Sequence, residues 1–480
     1  MKRVIIIAGG AFATVLLLLL VLAVRYRALH PNDHPAAATS PASTPSTAAV
    51  PEEAEAQAEA HPGFLYGRIT TVDGATYEGR LRWGGDQEAF WGDYFNGFKP
   101  KNPWAAQVPP ERLPKERRPI EILGIKIANR ESQIDLGRPF MARFGDIARM
   151  EARGKKVRVT LKSGTVFDLD RFEASDFDDG VRVWDGRRGV VNLEGGIEPR
   201  LRSLQLRRDL GRIHTIEFLP AARLAAAPHR LHGTVRTRQG DFTGFVQWDR
   251  QECVGPDTLD GHTADGKLSS LRFDTIRSIA RRSRDSSLVT LLDGREIVLS
   301  GTREVGHDNR GIYVDDRRYG RVLVSWDAFE RVDFSPGAPE GSGPAYGDFP
   351  PGRPLTGSVT TRAGRRLAGR LVFDLDESET TETLDAPSQG VDYTIPFGLI
   401  ASIVLPGREE RGAHPTGTAR VTLHSGEELQ LERTGDLGER NAGMLIFVDG
   451  RQRSEYVPWT DVEQVDLDRP PAMYPPLGGR

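Results

Sequence analysis

Residues 233–249 read GTVRTRQGDFTGFVQWD, and their pattern decides the fold. Apolar and polar side chains alternate on both sides of Gly240, which gives each flank one apolar face, as a half-buried strand requires. Gly240 tolerates the positive φ of a tight turn, so the stretch predicts a β-hairpin. Outward from it, one spacing recurs six times: a β-branched residue, Thr or Leu two positions on, and Gly five positions on. The copies are Ile69, Thr71, Gly74; Val159, Leu161, Gly164; Val235, Thr237, Gly240; Val289, Leu291, Gly294; Val359, Thr361, Gly364; and Val421, Leu423, Gly426. Asp73-Gly74 and Asp293-Gly294 are the strongest turn signals.

After each hairpin an apolar residue recurs at i, i+3 and i+6. The sets are Phe144, Ile147, Met150; Leu210, Ile213, Ile216; Phe273, Ile276, Ile279; Trp326, Phe329, Val332; Phe397, Ile400, Ile403; and Trp459, Val462, Val465. Side chains three apart share a face of a 3₁₀ turn, so each triplet predicts one tight turn feeding a strand.

The six units alternate between two types. Odd units carry Gly before the first strand and Gly after the turn: Gly67, Gly74, Gly79, Trp83; Gly233, Gly240, Gly244, Trp248; and Gly357, Gly364, Gly369, Phe373. Even units close on Ile216-Glu217-Phe218, Val332-Asp333-Phe334 and Val465-Asp466-Leu467, after a strand opened by Gly180, Gly311 or Gly443. Strict alternation makes three tandem pairs. Modules are therefore expected at 62–219, 230–335 and 355–468, with a Pro/Gly linker at 336–354 and a Pro-rich tail at 469–480.

Composition agrees, with 38% hydrophobic and 27% charged residues and 52 Gly and 32 Pro spread between short apolar runs. That is enough apolar matter for several small cores, and the even spacing of breakers favours short strands over helices. The linkers are expected to be extended or mobile, because Pro removes donors and Gly raises the entropic cost of order.

Residues 1–30 predict a membrane anchor. Val4 to Val24 is an uncharged, largely apolar run between Lys2-Arg3 and Arg25, long enough to span a bilayer as a helix and without a small-residue cleavage site behind it. Residues 31–61 are Ala, Pro, Ser, Thr and Glu, a solvated tether. The positive-inside rule and this tether place the bulk of the chain outside the cytoplasm, in a bacterial periplasm or at the cell surface. The lone Cys253 forms no internal disulfide.

Few residues carry recognisable chemistry. The ten His are scattered and Cys253 has no companion, so neither a metal nor another cofactor is expected. Asp249 with Glu252 and Asp374 with Glu377 follow equivalent strands and are candidates for paired acid–base work, with Asp86 and Glu88 at a shifted register in the first module. Their position predicts solvated turn acids. His307, Asp308 and Asn309 read as a turn, since Asn309 and Asn441 both precede Gly by two positions and Asn accepts left-handed geometry. Trp83, Trp248, Phe373, Trp326 and Trp459 recur at equivalent places, as core aromatics do. The basic pairs are interrupted by acids and the net charge is −3, so no nucleic-acid partner is expected.

One segment departs from the repeat. The insertion at 94–140 holds Tyr94, Phe95, Phe98 and Trp104, several prolines, and a basic stretch with Arg117 and Arg118. Long loops with their own aromatics serve as binding elements or as caps on an open array end. These six residues are the candidate partner-binding set.

The odd units resemble the first motif of Sm-like small β-barrels, in the order Gly233, Gly240, Gly244, Asp249. The closing Phe273, Ile276, Ile279 is similar to the last turn and strand of such barrels. Sm-like proteins bind RNA through a loop Asn that is missing after Asp249 and Asp374, so the resemblance implies the fold and not that ligand.

The expected fold is thus all-β: three tandem modules, each a pair of small bent five-strand barrels, behind an N-terminal transmembrane helix. The expected function is a membrane-anchored, extracytoplasmic, non-catalytic binding or scaffold protein, with the membrane engaged through Val4 to Val24 and a protein or envelope polymer as partner. Two alternatives stand beside it. One is a polysaccharide or peptidoglycan binder with repeated aromatic and Arg-lined grooves, and the other is an envelope hydrolase using Asp249 and Glu252.

Overall fold

A computed structural model describes residues 63–84, 87, 89, 92–113, 138–170, 175–195, 212–221, 228–335, 345–407, 417–448, 450 and 453–471, and the backbone of 115–122 and 125–133. This part of the chain is all-β, with one four-residue helix, α1 (Ser175–Asp178), and short 3₁₀ turns. The expected placement as a single-pass membrane protein with an extracytoplasmic bulk is corrected: among the described residues, no helix is long and apolar enough to cross a membrane. Val4 to Val24, and with it the expected transmembrane helix, lies outside the described residues, as does the tether at 31–61.

In the first module the strands are β1 (Tyr66–Thr71), β2 (Thr76–Trp83), β3 (Tyr94–Lys99), β4 (Lys115–Ile122), β5 (Ile125–Gln133), β6 (Arg138–Arg143), β7 (Ile147–Arg153), β8 (Lys156–Leu161), β9 (Val166–Asp170), β10 (Val181–Asp185), β11 (Gly189–Leu193) and β12 (Ile213–Phe218). The second holds β13 (His232–Thr237), β14 (Gly240–Gln247), β15 (Thr258–His262), β16 (Leu268–Arg272), β17 (Ile276–Ser283), β18 (Ser286–Leu291), β19 (Glu296–Ser300), β20 (Ile312–Asp316), β21 (Gly320–Val324) and β22 (Phe329–Phe334). The third holds β23 (Thr356–Thr361), β24 (Arg366–Val372), β25 (Thr383–Ser388), β26 (Val391–Pro396), β27 (Ile400–Val404), β28 (Thr418–Leu423), β29 (Glu428–Glu432), β30 (Met444–Val448), β31 (Glu455–Val457) and β32 (Val462–Leu467).

All six repeated hairpins form: β1–β2, β8–β9, β13–β14, β18–β19, β23–β24 and β28–β29. Their turn glycines take positive φ, as at Gly74 (84°) and Gly294 (88°). Where a 3₁₀ turn opens a triplet it carries the first apolar residue, as at Phe144, Phe273, Phe397 and Trp459, and the strand follows at once.

Within a module the two units exchange strands. The second sheet runs β16-β15-β19-β18-β17-β22-β13-β14-β20-β21 before it continues into the third module. The odd hairpin β13–β14 is thus flanked by β22, β20 and β21 of the even unit, and the even hairpin β18–β19 by β17 and β15 of the odd one. The β17–β22 pairing, Ile279 opposite Val332, joins the halves. The first module repeats this as β11-β10-β2-β1-β12-β7-β8-β9 and the third as β29-β28-β27-β32-β23-β24-β30-β31. These hydrogen-bonded sheets are open.

The exchange explains the second glycine of each odd unit. An added Cβ at Gly79 would lie 1.8 Å from the Trp184 carbonyl oxygen, at Gly244 2.0 Å from that of Asp315, and at Gly369 2.1 Å from that of Phe447. No turn demands Gly there; the neighbouring strand of the other unit lies too close for a side chain.

Contacts between modules close the array. β21 pairs with β26 of the third module, Val322 opposite Tyr393, and one apolar core runs through both modules. The linker at 336–354 is corrected from mobile to partly packed: Tyr346 and Phe349 join the core of the first module, and the Tyr346 hydroxyl donates to the Ile147 carbonyl at 2.8 Å. Two large aromatics supply the burial that offsets ordering a Pro/Gly run.

Candidate functional site

The insertion is a strap between modules. Tyr94 and Phe95, the start of β3, are 2% and 0% exposed. Phe95 packs edge-on to Trp83 at 5.6 Å, and Tyr94 stacks under the guanidinium of Arg321 from the second module. Further on, Ala105, Val108 and Leu113 cluster with Leu375, Leu445 and Tyr456 of the third module, and Trp104 meets Phe447 edge-on at 6.0 Å. Asn102 caps this turn, accepting from the Trp104 and Ala105 amides and donating to the Leu375 carbonyl at 2.9 Å. Phe98 is half-buried on β3, and Arg117 and Arg118 stand on β4 opposite Glu131 and Arg130 of β5. The described aromatics of the candidate set are thus taken up within the chain: a strap of apolar residues lowers its free energy by docking on neighbouring modules instead of facing water.

The recurring Trp83, Trp248 and Phe373 are core, each no more than 1% exposed. The carboxylates after them require a correction. Asp249 is 0% exposed and Asp374 7%, so neither is a solvated turn acid. The chain at both places takes two consecutive left-handed residues, Asp249-Arg250 (φ 48° and 61°) and Asp374-Leu375 (both 51°), which is strained for non-glycine residues. The aspartate side chains hold it. Asp249 accepts from the Arg310 amide and from Arg303 Nε, both at 2.7 Å, so each of its oxygens holds a donor from the even unit. Asp374 accepts from the Ala442 amide and, at 3.2 Å, from Arg138 of the first module.

The two places are otherwise alike. Glu304 Oε2 accepts from the Asp260 amide, and Asp436 Oδ2 from the Asp385 amide, each at 2.6 Å. Asn309 and Asn441 each accept from the amide two residues on, that of Gly311 or Gly443, at 2.8 Å. These asparagines act through a side-chain turn, while the glycines take the positive φ.

They differ in their cations, since Arg310, whose Nε lies 3.6 Å from Asp249, is matched by Ala442 in the third module. Arg303, which neutralises Asp249, is replaced in the third module by Gly435, and a cavity of about 230 Å³ opens beside it. Asp374, Asp376, Glu377, Glu382, Asp385 and Asp436 line it together with Lys99, Arg138 and Arg440. Gly435 has φ +56°, and a Cβ there would lie 2.4 Å from the Asp385 carbonyl oxygen, so no side chain of its own fills the space. The strap supplies partial compensation: Lys99 Nζ sits 2.5 Å from Asp376 and 3.8 Å from Glu382.

Carboxylates still outnumber cations two to one. Burial pushes the Asp374 carboxyl up to about 7 and Asp385 up to about 6, and it raises Glu382. Glu377 and Asp436 are held well above the ordinary carboxylate range, first by burial and then by neighbouring acids. Oε2 of Glu377 is enclosed without a hydrogen-bond partner. Such a site keeps protons near neutrality and releases them to a competing cation. Among the described residues, no three His, Cys, Asp or Glu side chains are arranged to hold a metal ion.

The sequence flagged Asp374 and Glu377 but missed Asp376, Glu382, Asp385, Asp436, Lys99 and Arg138. Aligning GTREVG (301–306) with RTGDLG (433–438) carries the signal for Gly435 and Asp436; Lys99 and Arg138 arrive from another module and leave none. In comparisons with known proteins, no family model matches the chain, and no curated protein and no solved structure matches it.

Proposed function

We propose that the protein is a non-catalytic binding scaffold whose third module receives a cationic group, guanidinium or alkylammonium, in the acidic cavity. The replacement of Arg303 by Gly435 carries this reading: in the second module a guanidinium from this turn satisfies Asp249, and in the third, where Arg138 and Lys99 reach in from the first module, a cavity remains beside Gly435. The six-to-three excess of acids over cations favours a positive ligand. In the same reading each module is a pair of small bent five-strand barrels of Sm-like kind, β22-β13-β14-β20-β21 being one and β17-β18-β19-β15-β16 the other.

Titration calorimetry with agmatine at neutral pH tests it, run in two buffers of different ionisation enthalpy. The expected result is saturable binding with net proton release, reduced at least tenfold in affinity by Asp436→Asn. Absence of binding, or binding indifferent to both pH and Asp436→Asn, rejects the cavity as the site.

A further inference from the structure

We infer that copies of this chain join head to tail by antiparallel pairing of β11 in one copy with β16 in the next. Within the chain, β21 and β26 already make this kind of contact, with Arg321 opposite Thr394, Val322 opposite Tyr393, Leu323 opposite Asp392 and Val324 opposite Val391. By position in the repeat, β26 is the fourth strand of an odd unit and β21 the fourth strand of an even unit. The other strands of these two classes are β6 and β16, and β11 and β31.

Two of those four are occupied. The β6 strand faces the third module, with Arg138 bonded to Asp374 and Pro139 and Met141 on the cavity. The β31 strand is covered by the strap: Arg112 donates to the Tyr456 carbonyl at 3.0 Å and lies over its ring, and Ser454 meets Gln107. That leaves β11 and β16. Each is the last strand of its sheet, with no further strand bonded beyond it among the described residues.

An edge strand presents unpaired amides and carbonyls to any strand that fits. On β16, Leu268 is 62% exposed, the most exposed of the large hydrophobics among the described residues. Carrying the β21–β26 register over sets Val190 opposite Ser270, Val191 opposite Ser269 and Asn192 opposite Leu268, so no like charges face each other. The two edges differ, so the contact is heterologous and does not close on itself in a dimer. A ladder of four pairs between two five-residue strands is a small interface, so association is weak and rises with concentration.

Sedimentation of the full chain over a wide concentration range, with disulfide trapping, decides the matter. The expected result is a growing sedimentation coefficient that Leu268→Asp abolishes without changing the melting temperature. Mixing a Val191→Cys copy with a Ser269→Cys copy under oxidation is expected to give a linked dimer, while neither variant alone does so; directly opposed Cβ atoms lie within disulfide reach. Val191→Cys with Leu271→Cys, out of register, is the control. A monomer at every concentration overturns the inference, as does association that survives Leu268→Asp or that yields no link between Val191→Cys and Ser269→Cys. None of these outcomes depends on the cavity's ligand.

Discussion

Arg321 donates to Asp93 at 3.0 Å across 228 residues of sequence, tying the second module to the first. Its guanidinium also meets Asp315 at 3.3 Å and lies over the rings of Tyr94 and Tyr313. The position of Asp93 is shared by Asp257 and Glu382, each of which accepts from backbone amides three or four residues earlier, as Asp93 does from Ala89. Each also has a cation from another module nearby: Arg321 for Asp93, Arg82 for Asp257 and Lys99 for Glu382. One loop acid per module thus marks an intermodule contact.

Arg321→Ala leaves Asp93 and Asp315 buried without their shared cation. Breaking a buried pair from one side costs about 3–5 kcal/mol. Urea denaturation of the variant is expected to show a loss of that size, and a loss below about 1 kcal/mol, the range of a surface pair, contradicts the structural role given to it here.

Gly244→Ala drives a methyl group into the Asp315 carbonyl, 2.0 Å from the ideal Cβ position. Overpacking of this kind costs about 1–3 kcal/mol, and it must be relieved by moving β14 away from β20. At Gly266, where nothing lies within 4 Å of a Cβ but φ is +77°, Ala is expected to cost only about 1 kcal/mol. Equal effects of the two substitutions in thermal melts refute the close-approach explanation.

Phe95→Ala removes a fully buried ring and is expected to cost about 3–5 kcal/mol. Trp104→Ala, from a half-buried ring on the strap, is expected to cost roughly half of that. Chemical denaturation checks both; a neutral Phe95→Ala means that the β3 segment is not docked as described.

Burial pushes the Glu252 carboxyl from an ordinary 4.5 up to about 8, with the charge of Glu304 adding to it. Between those values the folded chain binds the proton more tightly than the unfolded chain. The contribution to stability is complete below about pH 4.5 and is lost as pH rises through about 8. The melting temperature is expected to fall less from pH 5 to pH 8 in Glu252→Gln than in the parent; an unchanged pH dependence excludes Glu252 as its source.

Hairpins, triplets and unit alternation were legible in the sequence because each depends on residues within a few positions. Alternation sets which face is buried, Gly sets the turn, and a three-residue period sets the 3₁₀ step. The doubled glycines at Gly79, Gly244 and Gly369 were visible too, but their cause, a strand contributed by the other unit, was not. The acids were misjudged for a related reason. Acid-rich turns normally face water, and only the strap and the companion unit bury Asp374.

By itself, the sequence determined an all-β chain of six hairpins in three pairs, since local pattern and turn chemistry suffice for that. Only the tertiary structure decided which strands pair, that the insertion is an internal strap, and that charge accumulates around the space left by Gly435. Those outcomes rest on pairings such as Arg138 with Asp374, 236 residues apart. The free energy of such a pairing depends on burial and on partners brought from other modules, and no spacing along the chain encodes either.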